Sequence, residues 1–212
     1  MRQRVAALIS GRGSNLGALI DAAAASDYPA EIVLVISNVP DAAGLNRARQ
    51  SGIPAATIDH RRYETKAAFE DAVDASLRQA GIDLICLAGF MRLLSAKFVE
   101  AWRDRILNIH PSLLPLFPGL NTHARALAAG AKEHGASVHF VRAATDQGPI
   151  VAQAKVPVLA DDTPEALAAR VLEVEHRLYP QALRLVASGK ARVVGDSVII
   201  ADDKASTEAA KL

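Results

Sequence analysis

Apolar residues along this chain fall into short continuous runs separated by alanine-rich or charged segments, and the runs define the candidate elements. RVAALIS at 4–10, EIVLVISN at 31–38 and IDLICLAGF at 82–90 are apolar on both alternating faces, the pattern of strands buried in a parallel sheet. AATID at 55–59 is a short further strand. Between them, the spacing predicts helices over 14–25, where Ser14 or Asn15 is a natural N-cap, over 43–51, and over 63–80, where Phe69, Val73 and Leu77 form one stripe. Ser95 caps a helix carrying Phe98, Val99 and Trp102, and another helix runs from about 121 to Gly130. Residues 105–120 begin as a strand and turn irregular at Pro111, Pro115 and Pro118. The runs at 136–141 and 149–158 alternate more, as a less buried antiparallel portion would. A long helix over 163–189 opens with a Thr163 cap, Pro164 in the first helical position and Glu165 in the first turn.

Strand and helix alternating in this way require crossovers, and therefore a mostly parallel, doubly wound α/β sheet of Rossmann-like form. An antiparallel portion follows in the C-terminal half. The reading is one domain over 1–200 and a flexible tail over 201–212. Ligands of such sheets lie beyond the carboxyl ends of the strands. That selects the loops after Ser10, Gly89 and His110.

Composition removes several classes of function. Half of the 212 residues are hydrophobic, enough for a large core. The formal net charge of +1 offers no electrostatic case for nucleic acid or an acidic membrane, and no run approaches bilayer-spanning length. A cytoplasmic protein is expected. The single cysteine, Cys86, lies inside an apolar run and reads as a buried structural thiol. His110, His123, His134, His139 and His176 show no metal-ligand spacing, so no metal is expected.

Four stretches can carry chemistry. In SGRGSN at 10–15, two glycines let the backbone approach a ligand and the following helix offers free N–H groups, which suits one phosphate or carboxylate. Its next glycine, Gly17, falls one place too late for a dinucleotide fingerprint, and a plain strand-to-helix turn is the alternative. In NIHPSLLP at 108–115, Asn108 and His110 share one face of a strand end, where an amide can donate to a developing oxyanion and an imidazole can relay a proton. Asp146 sits in a turn before Gly148 and Pro149; it is a turn former unless that turn folds back to orient His110. In EVEHRLYP at 173–180, Glu173, His176 and Tyr179 lie within helical reach, which by itself describes a solvated face.

Taken together, ISGRGSNL, GFMRLLS, LNIHPSLLPLFPGL, GASVHFV with DQGPIVAQAKVPV, and EHRLYP follow one another as in the folate-dependent glycinamide ribonucleotide formyltransferases of purine biosynthesis, which this chain resembles over about 190 residues. The resemblance implies formyl transfer from the co-substrate 10-formyltetrahydrofolate to glycinamide ribonucleotide, by a monomer or homodimer acting on small molecules only. It implies a catalytic trio of Asn108, His110 and Asp146. Gly13, Ser14 and Asn15 would hold the substrate phosphate, and Leu172, Glu173, Val174 and above all Glu175 would meet its ribose and glycinamide. The folate pocket would draw on Met91, Arg92, Leu93, Leu94, Asn108, Arg142, Ala143, Ala144 and Thr145, and the Leu114–Pro115 bond would be cis. The phosphate site would belong to the N-terminal half, and folate binding and catalysis to the C-terminal half. Lys66 stands where relatives carry a folate-tail arginine; lysine keeps the charge and loses the bidentate fork. Ala144 and Thr145 replace an acid and a leucine. The nearest alternatives on the same core are a 10-formyltetrahydrofolate hydrolase, another formyltransferase such as one acting on methionyl-tRNA, and, in a different class, a non-catalytic nucleotide-binding module.

Overall fold

The buried runs become one sheet. In the computed structural model, which describes residues 1–201, β1 (Gln3–Ile9), β2 (Ala30–Ser37), β3 (Ala55–Thr57), β4 (Leu84–Leu87) and β5 (Ile106–His110) run parallel. β6 (Glu133–Phe140) and β7 (Ile150–Pro157) complete it antiparallel, in the order β3-β2-β1-β4-β5-β6-β7. Six helices accompany the strands among the described residues: α1 (Ser14–Ala23), α2 (Ala43–Gln50), α3 (Lys66–Gln79), α4 (Ala96–Ala101), α5 (Thr122–Ala128) and α6 (Pro164–Ala187). The tail expected over 201–212 lies, from position 202 onward, outside the described residues.

Alternation along β1 shows how the sheet is covered. Val5, Ala7 and Ile9 pack with Leu16, Leu19, Leu45, Val171 and Tyr179, from α1, α2 and α6. Ala6 and Leu8 pack on the other face with Phe69, Val73, Leu77, Phe98 and Trp102, from α3 and its surroundings. Cys86 is fully buried, and burial pushes its thiol up to about 12, which leaves it chemically inert.

Three local expectations change. α3 starts at Lys66 because the Thr65 hydroxyl caps it, accepting from Ala68 N at 3.1 Å, while 60–62 form a separate 3-10 turn. β6 is buried almost throughout, since β5 and β7 flank it and both its faces are covered; only β7, at the sheet edge, alternates. A hairpin of β8 (Ala191–Val194) and β9 (Ser197–Ile200) was not expected, although its Gly195-Asp196 turn, with Gly195 at φ 62°, follows a standard two-residue rule. The caps at Ser95 and Thr163 form as the sequence suggests.

From β1 the chain builds outward to β2 and β3 on one side, then returns to add β4 and β5 on the other. Strand order therefore reverses between β1 and β4, and a crevice opens at their carboxyl ends. The loops after Ser10 and Gly89 meet there: Ser10 N donates to Gly89 O at 3.1 Å, and Met91 N donates to Ser10 Oγ at 2.8 Å.

Candidate active site

The turn after β1 is built around close backbone contact. Gly13, not Ser14 or Asn15, occupies the N-cap of α1, at φ 73° and with no side-chain cap. A β-carbon on Gly13 would stand 2.7 Å from Gly44 Cα, so the cradle is tight as well as left-handed. With no side chain capping it, the first turn of α1 keeps its N–H groups for a ligand. Asn15 turns inward, donating from Nδ2 to Glu175 Oε2 at 2.7 Å, while its own Oδ1 is buried without a partner. The structure thus joins the turn to α6 through Asn15 and Glu175. Burial pushes the Glu175 carboxyl above its usual range, and the Asn15 hydrogen bond pulls against that shift.

Glu173 does not join them. It is exposed, about 200° around the helix from Glu175. Leu172 and Val174 are half-buried, Val174 packing against the core.

At the end of β5, Asn108 and His110 lie on one face, as their spacing implies. β6 runs antiparallel beside them and sets His139 opposite Asn108 and Ser137 opposite His110. Asn108 Nδ2 donates to His139 Nε2 at 3.2 Å, so the His139 proton lies on Nδ1, which donates to Phe140 O at 2.9 Å. Burial lowers the pKa of His139, which keeps it neutral and able to accept from the amide. The turn carrying Asp146, itself at φ 55°, does fold back. Its carboxylate lies 3.4 Å from His110 Nδ1 and 3.7 Å from His139 Nε2, and accepts from Gly119 N at 2.8 Å. His110 Nε2 donates to Phe117 O at 3.0 Å.

Sequence reasoning passed over His139. Its signal was its place on the face of SVHFV that meets Asn108, which becomes legible only once the register against β5 is known.

The remaining predicted positions divide. Met91 and Leu93 are exposed apolar side chains at the rim of the crevice, Arg92 is exposed, and Leu94 packs into the core under α3. Lys66 Nζ lies 3.8 Å from Glu70 Oε1, and that buried carboxylate also accepts from Ser95 N at 2.7 Å. Lys66 is therefore tied to the far end of the 91–94 segment. The Arg142 side chain pairs with Asp104 and donates to Val141 O. Ala143, Ala144 and Thr145 form an exposed run leading to Asp146. The Leu114–Pro115 bond is cis. Among the described residues no cluster of three or more His, Cys, Asp or Glu side chains is arranged to hold a metal ion.

Asn108, His110 and Asp146 gather past the carboxyl end of β5, one strand from the switch point of a doubly wound sheet, an arrangement suited to group transfer, and the chain belongs to the formyl transferase family, matching it over residues 3–183. Over 203 residues it is 44% identical to a phosphoribosylglycinamide formyltransferase of Haemophilus influenzae, covering 96% of this chain and 95% of that one. It is 50% identical over 194 residues to the trifunctional purine biosynthetic protein adenosine-3 of Drosophila melanogaster, covering 91% of this chain but only 14% of that protein's length. The structure of glycinamide ribonucleotide transformylase 1 from Symbiobacterium toebii superposes with a TM-score of 0.92, at 47% identity and 95% coverage of each chain.

Proposed function

We propose that this chain transfers the formyl group of 10-formyltetrahydrofolate to the amino group of glycinamide ribonucleotide. The observation that carries this reading is the convergence of Asn108, His110 and Asp146 beside a phosphate-type turn that Asn15 links to Glu175. The names of full-length relatives such as the Haemophilus influenzae enzyme support it.

In this reading the α1 N-terminus with Gly13, Ser14 and Asn15 takes the phosphate, and Glu175 meets the ribose and glycinamide. The 91–94 and 142–145 segments flank the folate, with Lys66 facing its acidic tail. The amine attacks the formyl carbon and negative charge gathers on the formyl oxygen. Asn108 donates an N–H to that oxygen and His110 adds positive charge, each donor of this kind contributing about 3 kcal/mol. Asp146 orients His110 and takes up the proton shed by the attacking amine, which returns to the leaving folate nitrogen as the carbon–nitrogen bond breaks. No enzyme-bound acyl group is needed. The chemistry is cytoplasmic and confined to small molecules.

Two measurements test it. Asn108→Ala and Asp146→Asn should each lower turnover by roughly 100-fold or more while calorimetry still shows substrate binding. Near-normal turnover in both would overturn the assignment. Release of tetrahydrofolate should require glycinamide ribonucleotide; release without it would make the chain a hydrolase.

A further inference from the structure

Two histidines that no catalytic step uses lie beneath the loop holding His110. His134, at the start of β6, is 1% exposed, and His123, on α5, meets it edge-on with ring centroids 5.2 Å apart. His134 also meets the Phe117 ring edge-on, with centroids 5.9 Å apart. The Phe117 carbonyl is the group that receives His110 Nε2–H.

Phe117 needs such support. Its φ of 52° is left-handed, and Gly119 and Asn121 follow at 78° and 55°. A non-glycine residue in that region is strained and persists only where the surroundings impose it. His134 supplies one restraint, and the Arg125 guanidinium, 5.7 Å from the Phe117 ring centroid, supplies another. Arg125 also donates to Pro118 O at 2.5 Å. Burial, reinforced by His123 and His110 and opposed by the Pro111 carbonyl, lowers the His134 imidazole to about 4, so it packs as a neutral ring.

We infer that His134, backed by His123, is a positioning residue: its ring holds the Phe117 carbonyl where it fixes the His110 imidazole against Asp146. The kinetic consequence rests on the formyl-transfer reading; the spectroscopic one does not.

The test compares His134→Leu, which keeps bulk without a flat ring, with His134→Phe, which keeps the ring edge. His134→Leu should lower kcat roughly 10- to 100-fold with both KM values within about twofold, since a small misplacement near the chemistry has that effect. His134→Phe should restore kcat to within about threefold of the original. In 15N-histidine-labelled protein, the His110 Nε2–H resonance should exchange slowly in the original chain and in His134→Phe, and broaden or vanish in His134→Leu. Should His134→Leu fail to fold, His123→Leu, at a half-buried site, carries the same expectations in weaker form.

Unchanged kcat and resonance in a folded leucine variant would overturn the proposal. So would a fall in kcat with the resonance intact, a rise in KM alone, or no rescue by phenylalanine. Absence of formyl transfer in the original chain would remove the functional reading and leave the resonance as the deciding measurement.

Discussion

Glu175 is a carboxylate held where water is scarce, with one hydrogen bond, from Asn15, to compensate its burial. Its pKa is raised above the ordinary 4.5, so its stabilising form is the protonated one. That contribution is present below 4.5 and lost as pH rises through the raised value, above which the ionised side chain weakens the free protein. Such a cost makes sense where a ligand will later meet the charge. Glu175→Gln keeps an acceptor for Asn15 and removes the charge. Thermal unfolding without ligand, at a pH where Glu175 is ionised, should show a higher melting temperature for the glutamine variant. Calorimetry with glycinamide ribonucleotide should show weaker binding. A lower melting temperature in the glutamine variant would mean that the ionised carboxylate supports the fold.

At the scale of elements, α1 depends on a glycine that the sequence seemed to place in a supporting role. Cap rules favoured Ser14 or Asn15, yet the left-handed turn and the approach of Gly44 leave the N-cap to Gly13. Gly13→Ala should cost about 1–2 kcal/mol from the left-handed backbone, before the Gly44 clash is added. It should also weaken binding of a phosphate-bearing ligand more than binding of folate, because the segments proposed for folate lie on other loops. Equal loss of both, measured by titrating each ligand separately, would place Gly13 outside the phosphate cradle. The contrast marks what the sequence made legible. Buried strands, the caps at Ser95 and Thr163, and the shared face of Asn108 and His110 follow from local periodicity. The pairing of Asn108 with His139 follows from strand register, and that of Asp146 with His110, 36 positions along the chain, from the fold-back of the turn between β6 and β7; no local pattern encodes either. The Arg142 side chain pairs with Asp104 and Glu173 is exposed, directions that their places in the motif do not disclose.

Across the whole molecule, the face that carries Asn108 and His110 is floored by histidines kept neutral. Burial lowers His123, His134 and His139, on α5 and β6, and the same groups face His110, with Asp146 and the Arg125 guanidinium at their margin. A histidine whose folded pKa is depressed binds its proton more readily when unfolded. Stability from His134 is therefore complete above 6.5 and lost as pH falls from 6.5 toward about 4. Carboxylates paired with arginine act in a different window: Asp59 and Asp162, held down to about 2, lose their contribution only below 3.8. Glu175 opposes the histidines, since protonating it favours the folded state. The net acid sensitivity between these limits is thus a difference, and a single variant isolates the histidine part. His134→Phe retains the ring that supports Phe117 and cannot take up a proton. Melting temperatures measured from pH 7 to 4 should fall less steeply for it than for the original chain, the two curves separating below 6.5. Curves that run parallel over that range would show that acid acts on other groups first. Divergence would show that protonation of the floor loosens the same loop that sets His110, and turnover should then decline on the acid side along with stability.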